Sequence, residues 1–164
     1  MYVQEHLLQN LKREIDLIKQ LVPFIEEKDL QYRPVANVRS TYELMQYLSG
    51  VGSTMLRWFI KNDMTPELRE KIKEYRSTLT LQNFPARLDE QWNFIQEYMN
   101  EITEDDLLHK EIELPTKEKM TLGTAIINAP IKWLTAYRME LFLYLKMNGH
   151  SNLSTKEAWS IIAK

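Results

Sequence analysis

Apolar residues recur along this chain at steps of three and four, and those runs divide it into amphipathic helices. The first stripe is Leu7, Leu11, Ile15, Ile18, Val22 and Ile25. It predicts a helix from about Val3 to Val22, ended or bent at Pro23, which lacks a backbone donor. Tyr32-Arg33-Pro34 reads as extended loop, because a residue before proline avoids the helical region. A second helix opens at Ser40-Thr41-Tyr42-Glu43. This is a capping box: the Ser40 hydroxyl accepts from the Glu43 amide while the Glu43 carboxylate accepts from the Ser40 amide. Leu44, Tyr47, Leu48, Val51, Met55, Trp58 and Phe59 form its buried face, so one helix is expected to run to Lys61-Asn62. Gly50 and Gly52 fall inside it, weakening it slightly and permitting another helix to come close.

A polar crossing follows. Thr65 as cap with Pro66 at the first position predicts a short helix to Arg76, whose charge run from Lys71 reads as a solvated face. A third bundle helix is expected from near Asn83, with the stripe Leu88, Trp92, Ile95, Tyr98, Met99 and Ile102. Residues Leu108 to Lys119 alternate weakly around Pro115 and read as extended loop or a small hairpin. The fourth helix is expected from Thr121 to Asn148, kinked rather than broken at Pro130, with Gly149 as terminator. Its inner side carries Leu122, Ile126, Trp133, Tyr137, Leu141, Tyr144 and Leu145. Ser154 and Glu157 make a second capping box ahead of a final short helix reaching Ala163. Four long stripes with a long crossover between helices 2 and 3 predict an all-α four-helix bundle, residues 1–164 forming a single domain.

Composition narrows the classes. With 4 glycines and 6 prolines in 164 residues, turn signals are sparse, which fits long helices. A net charge of -2, from 21 basic and 23 acidic residues, gives no electrostatic footprint for nucleic acid. The absence of cysteine excludes disulfides, zinc ribbons and a thiol nucleophile, and suits a cytoplasmic location. Polar Gln4, Glu5 and His6 argue against a signal peptide, and no apolar run approaches the ~20 residues needed to span a bilayer. The Asn152-Leu153-Ser154 sequon is read as chance.

Three local patterns, in order, resemble the DinB-like superfamily. Tyr32-Arg33-Pro34 followed by Arg39-Ser40-Thr41-Tyr42-Glu43 is similar to that family's loop and helix-2 start. Ile102-Thr103-Glu104-Asp105-Asp106-Leu107, before Thr121-Leu122-Gly123, resembles the acidic turn ahead of its last bundle helix. Tyr137-Arg138-Met139-Glu140-Leu141, then Tyr144-Leu145-Lys146 and Gly149, resembles its closing motif. The resemblance covers helix 1 to Gly149 and implies a DinB-like four-helix bundle acting as a homodimer. It also implies three histidine ligands for a divalent metal, one on helix 2 and an i, i+4 pair on the last bundle helix. At the matching positions this chain has Tyr47, Trp133 and Tyr137, so the resemblance implies a site without metal or other cofactor.

Two readings of those positions stand side by side. Tyr47, Trp133 and Tyr137 line a pocket for a small molecule, oriented by Glu140 and Arg138, or they fill the space the metal and imidazoles left. In either case Glu140 is within reach of the Tyr137 hydroxyl. Glu43 is read as a cap rather than a catalytic carboxylate, and Arg33 and Arg39 as loop-holding residues or an anion site. The three histidines, His6, His109 and His150, offer no ligand spacing on one helix; Asp106-x-x-His109 is read as solvated, and the eight methionines as adaptable core. The function expected is binding of a small molecule or a protein partner, without nucleic-acid or membrane association. The alternative is a metal-dependent transferase or hydrolase of the thiol-dependent type, resting on resemblance alone.

Overall fold

The computed structural model describes residues 2–114 and 116–162. Helix α1 spans Tyr2–Leu21 and gives way at Pro23 to a 3-10 turn over Val22–Phe24, with a second 3-10 turn at Glu27–Asp29. Leu7, Leu11, Ile15, Ile18 and Leu21 are buried on one side of α1, as the stripe predicts.

The expected second helix is in fact two. Helix α2 runs Thr41–Leu48 and helix α3 runs Val51–Lys61, separated at Ser49-Gly50, where Gly50 adopts φ -158° and ψ 2°. A break frees a last-turn carbonyl and a first-turn amide, and both need partners when buried. Gln91, only 2% exposed, supplies them: its Nε2 donates to the Leu48 carbonyl at 2.8 Å and its Oε1 accepts from the Gly52 amide at 2.8 Å. Gly52 does admit close packing, since a Cβ there would lie 3.1 Å from Leu134 Cδ1 and 3.2 Å from Ile95 Cδ1.

The crossover carries α4, Pro66–Ser77, capped by Thr65 and without a fully buried residue. Helix α5, Phe84–Asn100, is the third bundle element. The acidic turn proves to be a helix, α6, Glu104–His109, opened by a Thr103–Asp106 capping box. A two-stranded antiparallel hairpin follows: β1, Glu111–Glu113, pairs with β2, Lys119–Thr121, with Ile112 opposite Met120. Pro115 itself lies outside the described residues.

The last bundle element is α7, Leu122–Ile126, a π-helical turn over Ile127–Ile131, and α8, Lys132–Met147. Pro130 has no amide and its ring crowds the preceding turn, and the wider π turn absorbs both effects without stopping the helix. Gly149, at φ +105°, terminates α8 as expected. Helix α9, Thr155–Trp159, is shorter than predicted, and Ala163 lies outside the described residues.

Helix α1 packs on α5 and α8, α3 on α5 and the π turn, and α2 on α8, closing a bundle around Leu11, Ile18, Leu48, Leu56, Leu88 and Leu141. Each fully buried aliphatic side chain contributes about 1.5–3 kcal/mol, so the four stripes together drive assembly. Two buried polar clusters tie the bundle's ends. Asp29 accepts from Asn148 Nδ2 at 2.7 Å and bonds His150 Nε2 at 2.8 Å, joining the turn after α1 to the end of α8. Arg138 pairs with Glu14 at 2.8 Å, donates to the Ala158 carbonyl and lies under Trp159, joining α8, α1 and α9. Among the described residues no helix is long and apolar enough to cross a membrane.

Candidate functional site: an aromatic and guanidinium cleft

Helices α2 and α4 and the loop before α2 enclose an open cleft of about 1100 Å³. The capping box fixes one wall: Ser40 accepts from the Glu43 amide at 3.2 Å, and Glu43 accepts from the Ser40 amide at 2.7 Å. Arg33 completes it, donating to the Val38 carbonyl at 2.7 Å and approaching Glu43 within 3.2 Å. The Ser40 amide, and next Arg33, hold the Glu43 carboxyl below its ordinary range. Ser40 and Glu43 are thus cap residues, and Arg33 holds the loop.

One turn further along α2, Tyr47 meets Tyr137 of α8 edge to face, ring centroids 4.7 Å apart. The Arg39 guanidinium lies over both rings, 4.4 Å from the centroid of Tyr47 and 5.1 Å from that of Tyr137. Arg76 of α4 approaches Tyr47 from another side at 5.7 Å, its Nη2 donating to Thr54 at 3.1 Å. Burial pushes the Tyr47 phenol up, the neighbouring Tyr137 adds to this, and the two guanidinium groups act against it. Burial pushes the Arg76 guanidinium below its ordinary value. Gln46 locks the approach of α4 by donating to the Arg76 carbonyl at 3.0 Å, and Tyr42 donates to the Leu79 carbonyl at 2.8 Å.

The sequence-derived residues are therefore only partly brought together. Tyr47 and Tyr137 pair, and Tyr47 and Glu140 line the cleft. Trp133 is half-buried against the core, outside the cleft lining and without a ring partner among the described residues. Glu140 accepts from Tyr144 at 2.5 Å rather than from Tyr137, and burial followed by this contact raises the Tyr144 phenol well above its usual range. Arg138 points away from the cleft into its pair with Glu14, so it cannot orient a molecule bound there. The residue the sequence missed is Arg76, assigned to a wet face. Its spacing of four from Ile72 and eight from Leu68, the half-buried positions of α4, was the available signal.

Among the described residues no three His, Asp or Glu side chains gather in a way that could hold a metal ion. His109 bonds Asp105 at 3.0 Å on the surface, not Asp106.

No protein-family model and no curated protein sequence matches the chain. Solved structures do. A crystal structure assigned to the DinB family, from Exiguobacterium sibiricum 255-15, superposes with TM-score 0.71 at 17% identity, over 92% of this chain and 94% of that one. A DinB-like protein from Bacillus subtilis gives TM-score 0.61 at 18% identity, over 94% and 96%. The mycothiol-dependent maleylpyruvate isomerase gives 0.57 at 13% identity, over 89% of this chain but 60% of its own length. The chain has the DinB-like fold, all-α apart from its small hairpin.

Proposed function

We propose that this DinB-fold protein binds a small molecule in the α2–α4 cleft and does so without a metal ion. The observation that carries the reading is the stacking of the Arg39 guanidinium on the paired rings of Tyr47 and Tyr137. Tyr47, Trp133 and Tyr137 hold the positions where resemblance to the DinB-like superfamily implies histidines. An indole has no lone pair to give, and a phenol ligates only as phenolate, a form that burial disfavours at Tyr47. Permanent positive charge 4.4 Å from one ring and 5.1 Å from the other further opposes a divalent cation. The donor set does not suit a metal; an open cleft with aromatic walls and a few polar groups suits a ligand.

The competing reading is a metal-dependent transferase or hydrolase using a small thiol. Its support is the shared fold with an isomerase described as mycothiol-dependent, and shared fold does not fix function. Metal analysis separates the two. Protein purified without chelator, then dialysed against zinc, nickel and iron, is expected to retain only substoichiometric metal. One tightly held equivalent per chain, lost in a Tyr47→Ala variant, overturns the proposal.

A further inference from the structure

The chain as a whole carries a net charge of -2, yet the cleft has the opposite sign. Its lining contains five cationic side chains, Arg33, Arg39, Arg69, Lys73 and Arg76, against two carboxylates, Glu43 and Glu140. The carboxylates are already engaged, Glu43 by Ser40 and Arg33 and Glu140 by Tyr144. Three of the cations have no carboxylate partner; one of them, Arg69, donates to the Met64 carbonyl and lies over Trp58. Arg39 makes no ion pair or hydrogen bond among the described residues, only its stacking on Tyr47 and Tyr137. Arg76 has no carboxylate partner either, and its buried Nε has no hydrogen-bond partner at all. On the far side of Arg76, a smaller cavity of about 190 Å³ includes Glu90, but that carboxylate is taken by Tyr75 and Arg87.

A half-buried guanidinium with an unused Nε–H is costly to maintain, because the charge has lost water without gaining a counter-ion. The Nε–Nη edge of arginine is the fork that matches two oxygens of a carboxylate or phosphate. In Arg76 that edge packs against Gly50, where Nε and Nη2 both lie 3.5 Å from the place a Cβ would take, and Nη2 donates to Thr54, so the end left for a molecule in the cleft is Nη1. Arg39, 4.4 and 5.1 Å from the two ring centroids, supplies a second positive charge on Tyr47 beside it.

We infer that the cleft selects small organic anions, with the Nη1 end of Arg76 donating to a carboxylate or phosphate group and Arg39 providing the second charge. The inference rests on the reading of the cleft as a ligand site and adds the chemical class of the ligand. The test is calorimetric titration of the full chain with inorganic phosphate and with succinate, each against sodium chloride of equal ionic strength. Wild type, Arg76→Met and Arg39→Met are compared, with amide NMR shifts of the cleft residues as a second readout and neutral benzamide as a further probe. Saturable binding of phosphate or succinate is expected, and whichever is tighter assigns the oxyanion the natural ligand carries. Arg76→Met should weaken that binding roughly tenfold or more. Arg39→Met, at an exposed position where folding is not at risk, should weaken it to a lesser degree. Wild-type binding no stronger than that of chloride overturns the inference, as does equal affinity in wild type and both variants. If benzamide alone binds, anion selectivity fails while the ligand site stands; if no probe binds, both fail.

Discussion

Replacing Gln91 with methionine tests the physical account of the break between α2 and α3. Methionine nearly preserves the volume and shape of glutamine, so little cavity forms and the loss is confined to hydrogen bonding. The Gln91 amide bonds the Leu48 carbonyl and the Gly52 amide, both at 2.8 Å, and Leu48, Gly52 and Gln91 are all buried. Each backbone group left unsatisfied costs about 1–3 kcal/mol. Methionine recovers part of this, because no polar side chain has to be desolvated, so the net loss is expected near 2–4 kcal/mol. Against a domain stability of about 5–15 kcal/mol that is a large fraction, equivalent to a melting-temperature drop of about 4–16 °C. Urea unfolding followed by far-ultraviolet circular dichroism measures it. The midpoint should fall with the slope unchanged, because the surface exposed on unfolding is the same. A Gln91→Met variant within about 0.5 kcal/mol of wild type would refute the claim that this one side chain satisfies the break.

Two further outcomes follow from other contacts. Arg138→Met leaves Glu14 as a buried carboxylate without its cation and removes the donor to the Ala158 carbonyl, so a loss of about 3–5 kcal/mol is expected in the same urea assay; an unchanged midpoint would show that the pair does not hold α1, α8 and α9 together. Hydrogen bonds from Thr103 and Ser154 hold the cap carboxyls of Asp106 and Glu157 below the ordinary carboxylate range. Their folded pKa values lie below the unfolded ones, so the stabilisation is complete above the unfolded values and is lost as pH falls through the folded ones. Melting temperature should therefore decline from about pH 5 towards 3, and Glu157→Gln, which keeps an acceptor but cannot titrate, should make that decline shallower; an equal slope in both proteins would contradict the assignment.

The starts of α2, α4 and α9 were legible in the chain itself, because caps are local. Ser40 with Glu43, Thr65 with Pro66, and Ser154 with Glu157 each satisfy the first free amides within three residues, and all three occur as the spacing predicts. The buried stripe of α1 and most of that of α5 were legible for the same reason, since a period of 3.6 is a property of the helix alone, whereas along α8 Leu141, Tyr144 and Leu145 are buried as predicted but Leu134 and Arg138 take the place expected of Trp133 and Tyr137. The break at Ser49-Gly50 was not, because the apolar period runs through it unbroken. What ends α2 there is satisfied from Gln91, which is 43 residues from Leu48 and 39 from Gly52 in the chain. The candidate site divides in the same way. Sequence put Tyr47, Tyr137 and Glu140 in one neighbourhood, since they lie one turn or a few residues from recognisable motifs on two bundle helices. It could not say that Arg138, next to Tyr137, turns about 100° around α8 to meet Glu14, because side-chain direction has meaning only once a neighbouring helix is in place. Nor could it bring Arg76 to Tyr47, a contact made by folding the crossover helix back onto α2. Local hydrogen bonding and periodicity thus determined the elements, and tertiary packing decided which charges were left facing the cleft.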